Sequence, residues 1–168
     1  METFFIGDTH FGHKNILKYE PNYRKFNSIE EHDAELIKRW NAKVTNKDTV
    51  YHLGDFCFGR HNIDIASELN GIKKLIMGNH DLYDVIDYRK YFVKVYGVFA
   101  FKNILLSHMP CIESEGYELN IHGHLHSKML AIKNEHKYFN VSCENINLTP
   151  ISLDEINIKR YNSDYIYK

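Results

Sequence analysis

The sequence predicts a mixed α/β layered fold, and three observations predict it. Short apolar runs of strand type recur along the chain and stop at glycine or polar turn residues. In the first half they alternate with stretches carrying helix start signals. In the second half strands dominate, which points to sheets with helices on the outside.

Thr3 to Ile6 is the first apolar run, stopped by Gly7. Residues 11 to 27 read as irregular, with Pro21 and several aromatics. Ser28-Ile29-Glu30-Glu31 fits a capping box, with Ser28 as N-cap and Glu31 reaching back. The helix it opens carries Leu36, Ile37, Trp40 and Val44 at helical spacing, the pattern of a buried face. Thr49 to Leu53 is the next strand and runs into Gly54-Asp55. A second helix is expected over Ile63 to Leu69, stopped by Gly71. Lys74 to Met77 is a strand leading into Gly78-Asn79-His80-Asp81, after which Asp81 or Asp84 is placed to cap a short helix. Val93 to Ala100 and Ile104 to Ser107 read as two strands joined through Lys102-Asn103. Leu119 to His122 and Tyr138 to Cys143 read as two more. Ser152-Leu153-Asp154-Glu155 is a second capping box and opens a C-terminal helix; Tyr161 to Lys168 are polar and expected to fray.

At 168 residues the expectation is one domain spanning 1–168, with no repeat or interdomain linker. The formal charge of −1 gives no general pull toward nucleic acid or membrane, so a nucleic-acid partner would need a local basic patch. Lys14, Lys18, Arg24 and Lys25 form one loose basic group. The three cysteines are widely spaced with no CxxC pair, the usage of reduced thiols. The N-terminal residues lack a basic region and a long apolar segment, and no run approaches a membrane span, so the expected location is cytoplasmic, with no membrane partner.

Five motifs carry chemistry: Asp8-Thr9-His10, Gly54-Asp55, Gly78-Asn79-His80-Asp81, His108, and Gly123-His124-Leu125-His126. Each follows an apolar run, so each falls at a strand end, where open α/β sheets place ligands. Asp8 and His10, two apart on an extended segment, would project to one side and grip one ion. His124 and His126 repeat that spacing. Asp55 is placed to offer one carboxylate oxygen to each of two ions. Any one motif has an ordinary structural explanation. Eight of the eleven histidines lie inside or beside the set, counting His13, His52 and His122, and that arrangement does not arise from turn chemistry. Hard oxygen and borderline nitrogen donors together suit divalent transition metals: manganese first, with iron, zinc, nickel or cobalt as alternatives. Two ions about 3.5–4 Å apart form the clamp used in phosphoryl hydrolysis.

The ordered set resembles the calcineurin-like metallophosphoesterase superfamily, whose signature is D-x-H, G-D, G-N-H-[ED], H and G-H-x-H. The resemblance covers residues 8 to 126. It extends to about Ile156 through Gly-Asp-Thr-His-Phe-Gly-His, Leu-Gly-Asp-Phe, Asn-Val-Ser-Cys-Glu-Asn and Thr-Pro-Ile-Ser-Leu-Asp-Glu-Ile, which look like small bacterial and phage members. It implies a four-layer αββα sandwich. It implies one ion held by Asp8, His10, Asp55 and His126, and a second held by Asp55, Asn79, His108 and His124. His80 matches the non-ligand histidine beside the leaving-group oxygen. The implied reaction is hydrolysis of a phosphoester by a hydroxide bridging the two ions.

One departure bears on the substrate. The protein-phosphatase branch continues its second motif as G-D-x-V-D-R-G, whereas here Gly54-Asp55 is followed by Phe56-Cys57-Phe58-Gly59-Arg60. The arginine is displaced and the carboxylate is missing, which disfavours a fixed guanidinium clamp for a dianion. His13, Phe56 and Arg60 are the candidate substrate contacts, with Phe11, Phe58 and Met109 as further pocket walls. The favoured reading is a phosphodiesterase acting on a nucleotide or small diester. A phosphomonoesterase, a nuclease or nucleic-acid end-processing enzyme, and a non-catalytic interaction module are the alternatives. The sequence leaves the oligomeric state open.

Overall fold

The protein is described from a computed structural model covering residues 1–112, 116–130 and 137–161. The tail at 162–168, expected to fray, lies outside the described residues. Two sheets form the centre. The first contains β1 (Thr3–Ile6), β2 (Thr49–His52), β3 (Ile72–Ile76), β4 (Lys94–Tyr96) and β9 (Ile151–Ser152), in the order β4-β3-β2-β1-β9. The second contains β5 (Val98–Phe101), β6 (Ile104–Ser107), β7 (Leu119–His122) and β8 (Tyr138–Asn140), in that order. Strands β1 to β4 are mutually parallel, as are β6 to β8; β9 and β5 are antiparallel edges.

Strand alternation explains the layers. Phe5 and Tyr51 share one face and meet the second sheet through Phe101 and Phe99, with ring centroids 5.5–6.1 Å apart. Phe4 and His52 point the other way, toward α2 (Ile29–Lys43), where Lys43 lies over Phe4 and Trp40 stacks on His52. α4 (Leu153–Tyr161) packs against β1 and β9. The result is the α/β sandwich of mixed sheets that the resemblance implies. Among the described residues no helix is long and apolar enough to cross a membrane.

Both helix-start signals are real, with one shift. At α4 the box is reciprocal: Ser152 Oγ accepts from the Glu155 amide at 3.3 Å, and Glu155 accepts from the Ser152 amide at 2.9 Å. At α2 Ser28 caps the Glu31 amide at 3.2 Å, but the Glu31 carboxylate reaches the Asn27 amide instead, one residue further out.

Five expectations change. Residues 11 to 27 are not wholly irregular, since Ile16–Tyr19 forms a single helical turn, α1. The helix expected over Ile63 to Leu69 is a 3-10 segment, Arg60–Glu68, entered from Gly59 at φ 85° without a side-chain cap. The run from Val93 to Ala100 is two strands in different sheets, β4 and β5, divided at Gly97. Apolar alternation reports burial and does not name the pairing partner, so the crossing left no mark in the pattern. β8 ends at Asn140, whose side-chain oxygen accepts from both the amide and the hydroxyl of Ser142 and turns the chain into a 3-10 segment, Cys143–Ile146. Asp84 stands before α3 (Val85–Tyr88) without a side-chain cap bond, and Asp81 is used elsewhere.

Trp40 is fully buried in the core, and its indole N–H donates to the Asn70 carbonyl at 3.0 Å. Trp40→Ala should cost about 3–5 kcal/mol by denaturant titration. A loss below about 1 kcal/mol would show that α2 does not anchor the sheet through this residue.

Candidate metal centre

All five motifs lie at the carboxyl ends of strands: after β1, β2, β3, β6 and β7. Parallel pairing within each sheet puts those ends on one edge. Direct bonds tie the loops together. The Asp8 amide donates to the Gly54 carbonyl at 2.9 Å, and the His10 amide to the Asp55 carbonyl at 3.0 Å. The Gly123 amide donates to the His108 carbonyl at 2.9 Å. The two sheets are joined at the site, where the His124 amide donates to the Asp8 carboxylate at 2.9 and 3.1 Å.

The expected extended geometry of the D-x-H and H-x-H segments is not what places these side chains. Asp8, His10, Asp55, His124 and His126 have φ between 51° and 71°, and they are five of the eight non-glycine residues with positive φ among those described. Such left-handed backbone costs about 1–3 kcal/mol per residue and persists where the surroundings impose it, characteristically at functional sites. Thr9, between Asp8 and His10, turns inward, its hydroxyl donating to the Phe56 carbonyl at 2.7 Å and lying 2.9 Å from His52 Nε2.

The side chains converge. Asp8, His10 and His126 offer ligand atoms all within 4.8 Å of one another, as do Asp8, Asp55 and His108. Asp55 Oδ2 lies 3.7 Å from His10 Nε2 and 3.4 Å from His108 Nε2, between the two imidazoles. His108 is 2.8 Å from the Leu53 carbonyl through Nδ1, so that nitrogen carries the proton and Nε2 faces the site. Asn79 Oδ1 and His124 Nδ1 are 3.0 and 3.2 Å from the same Nε2.

Electrostatics agree with a cation site. Asp8 and Asp55 are 0 % and 2 % exposed. Burial raises Asp8 to about 6 against the pull of His126 and His108. Burial would also raise Asp55, but the hydrogen bond and charge of His108 hold it below the ordinary value. Burial works against charge on His108, yet Asp55 and Asp8 push it up to about 9. Burial and the Arg24 charge drive His10 far down, and both its ring nitrogens are buried with no hydrogen-bond partner among the described residues. A buried imidazole left neutral and unsatisfied beside two carboxylates is a poor core arrangement and a good ligand set for a divalent ion.

Other sequence candidates sort by exposure. His80 is exposed at the rim; its amide donates to Asp55 Oδ1 at 2.9 Å, and its ring lies 5.8 Å from His10 and 5.1 Å from Phe58. His13 is half-buried and stacks on Phe58 at 3.7 Å. Phe56, expected at the substrate, is a correction. It is fully buried between Phe11, His52 and Phe92 and has no surface to offer, and Phe11 is buried with it. Arg60 turns its guanidinium to Asp87, at 2.8 and 2.7 Å through two nitrogens. Met109 is half exposed. His52 and His122 are core imidazoles held neutral by burial, at about 3 and about 4.

Asp81, which the sequence offers only as a helix cap, holds the motif loops together. The Asp81 carboxylate accepts from the amides of Asp55, Phe56 and Gly78 at 2.8–3.0 Å, locking the second motif onto the third. Its place inside Gly-Asn-His-Asp was the available signal.

The calcineurin-like phosphoesterase family profile matches residues 1–164. The chain belongs to that family. An uncharacterised protein of Methanocaldococcus jannaschii is 40% identical over 166 residues, covering 91% of this chain and 88% of that one. The gene 66 protein of Mycobacterium phage L5 is 30% identical over 173 residues, covering 80% and 82%. A crystal structure of a protein of unknown function from Aquifex aeolicus superposes with a TM-score of 0.77 at 29% identity, covering 94% of this chain and 98% of that one. Membership makes this phosphoesterase a metal-dependent hydrolase of phosphoester bonds, and the clusters above are its candidate ligands.

Gly54 shows how tight the centre is. It has φ 87°, and an added Cβ would lie 2.6 Å from both His108 Nδ1 and the Gly78 amide nitrogen. Gly54→Ala should therefore lower metal content per folded chain, measured by elemental analysis. Full metal content with an unchanged melting temperature would show that the motif tolerates displacement.

Proposed function

We propose that this calcineurin-like phosphoesterase is a binuclear metal-dependent phosphodiesterase. The observation that carries the reading is the convergence of Asp8, His10, Asp55, His108 and His126 at one edge of the sandwich, with Asn79 and His124 against His108 and His80 exposed beside them. Asp8, His10, Asp55 and His126 would hold one ion; Asp55, Asn79, His108 and His124 would hold the other, with Asp55 shared. Two bound divalent ions supply Lewis-acid charge that activates water and neutralises the phosphoryl oxygens. Manganese is the first choice for the native metal.

The chain's own residues do the rest. Leu53 fixes the His108 ring, and the His80 and His124 amides fix the two carboxylates. His80, held at the rim by its backbone amide, would deliver a proton to the departing ester oxygen.

Two features support a diester. Phe58 is half-buried among His10, His13 and His80, with ring centroids at 5.5, 3.7 and 5.1 Å, and forms an aromatic wall for an ester substituent or base. Arg60 is engaged by Asp87, so it does not provide a free fork for a phosphate dianion. A monoester carries close to two charges at neutral pH and gains most from such a fork. A cytoplasmic setting completes the reading.

A screen crossing Mn, Ni, Co, Zn and Mg with several esters tests it. The expected ranking is a higher kcat/KM for bis(p-nitrophenyl) phosphate than for p-nitrophenyl phosphate. The reverse across several metals would favour the phosphomonoesterase, and preferential cleavage of single-stranded DNA or RNA would favour the nuclease. Absence of turnover on every ester with metal bound would favour a binding module.

His80→Ala should retain both ions and lose about 10²–10⁴-fold in rate on esters with poor leaving groups. The loss should shrink for nitrophenolate, which departs without a proton. An equal loss for good and poor leaving groups would rule out proton donation.

A further inference from the structure

Two charged residues outside the ligand set share one buried contact behind the metal centre. Arg24 is 1 % exposed, unlike Lys14, Lys18 and Lys25, its neighbours in the sequence, which are all exposed. Its guanidinium spends its donors in three directions. Nε donates to Glu144 Oε1 at 2.7 Å, one terminal nitrogen donates to the Thr9 carbonyl at 2.9 Å, and the other donates to the Asp8 carbonyl at 2.5 Å. His32 Nε2 lies 3.0 Å from the same nitrogen that binds Thr9, and its Nδ1 lies 2.8 Å from Asp33. Asp33 also accepts from the Gly12 amide at 2.8 Å. Arg24 thus grips the backbone between Asp8 and His10, both in left-handed conformation.

Glu144 connects this grip to His126. It is 7 % exposed, and its Oε1 lies 3.2 Å from His126 Nδ1. The same segment holds the His126 backbone, because the side-chain amides of Asn140 and Asn145 donate to its carbonyl at 3.1 and 2.7 Å. That gives Asn140 to Asn145, conspicuous in the sequence but without a role so far, a physical task.

We infer that Arg24 and Glu144 are a positioning pair for one ion of the centre: Glu144 holds the proton of His126 on Nδ1 so that Nε2 faces Asp8, and Arg24 holds Glu144 and the Asp8–Thr9 backbone. This rests on the binuclear reading above. A carboxylate behind a ligating imidazole fixes its tautomer and strengthens it as a donor. The effect is local to the ion that His126 would serve. His108, at the other ion, takes its orientation from the Leu53 carbonyl.

The test is calorimetric titration of the metal-free chain with Zn(II), beside Glu144→Gln and Arg24→Lys. The unmodified chain should take up two ions. Each variant should weaken one ion about 10–100-fold and leave the other unchanged. A general loss of structure would weaken both. Failure of the unmodified chain to bind zinc would overturn the metal reading itself. Two ions bound by Glu144→Gln with unchanged affinities would overturn the positioning role alone. Glu20, Glu144 and His126 also lie within ligand distance of one another, so three ions in the unmodified chain, falling to two in Glu144→Gln, would make Glu144 a ligand and overturn the inference. Should a variant fail to fold, nitrogen NMR of the zinc-loaded unmodified chain decides: protonated Nδ1 on His126 is expected, and protonated Nε2 overturns the proposal.

Discussion

Two buried carboxylates, Asp8 and Asp55, set the terms for one whole edge of this molecule. Buried negative charge is tolerated only with compensation close at hand. Part comes from backbone amides: His124 to Asp8 and His80 to Asp55. Part comes from His108, which these acids push toward the protonated state. His10 beside them is kept neutral by burial and has no hydrogen-bond partner among the described residues. Divalent cations are the group this donor set would accept, and family membership gives such ions a purpose.

Compensation at that point constrains the fold around it. Five candidate ligands adopt left-handed backbone without being glycine. Neighbouring parts hold them there: Arg24 on the Asp8–Thr9 carbonyls, Asp81 on the Asp55 and Phe56 amides, Asn140 and Asn145 on the His126 carbonyl. Glycines supply the clearance. An added Cβ at Gly78 would lie 2.2 Å from Asp55 Oδ1, and one at Gly123 would lie 2.4 Å from Asp8 Oδ2. The two sheets meet at the site through Asp8 and His124, so the fold and the centre support each other.

The candidate ligand residues, the strands before them and both helix caps were legible in the sequence. These are local facts: residue types at fixed short spacings, apolar runs of strand length, a Ser with a Glu three positions on. Arg24 was not legible. In sequence it is one basic residue among three lysines, and only the fold carries it to Glu144, 120 positions away. Phe56 and Phe58 are two residues apart and equally aromatic. Tertiary packing buries the first in the core and sets the second as a wall beside His80. The sheet change at Gly97 was hidden for the same reason. Sequence by itself determined which chemical groups are present and that strands would deliver them to one edge, because those properties are encoded within a few residues. The tertiary structure decided which side chains face the centre, which backbone is strained to let them, and which distant charges hold them, because these depend on contacts between segments far apart in the chain.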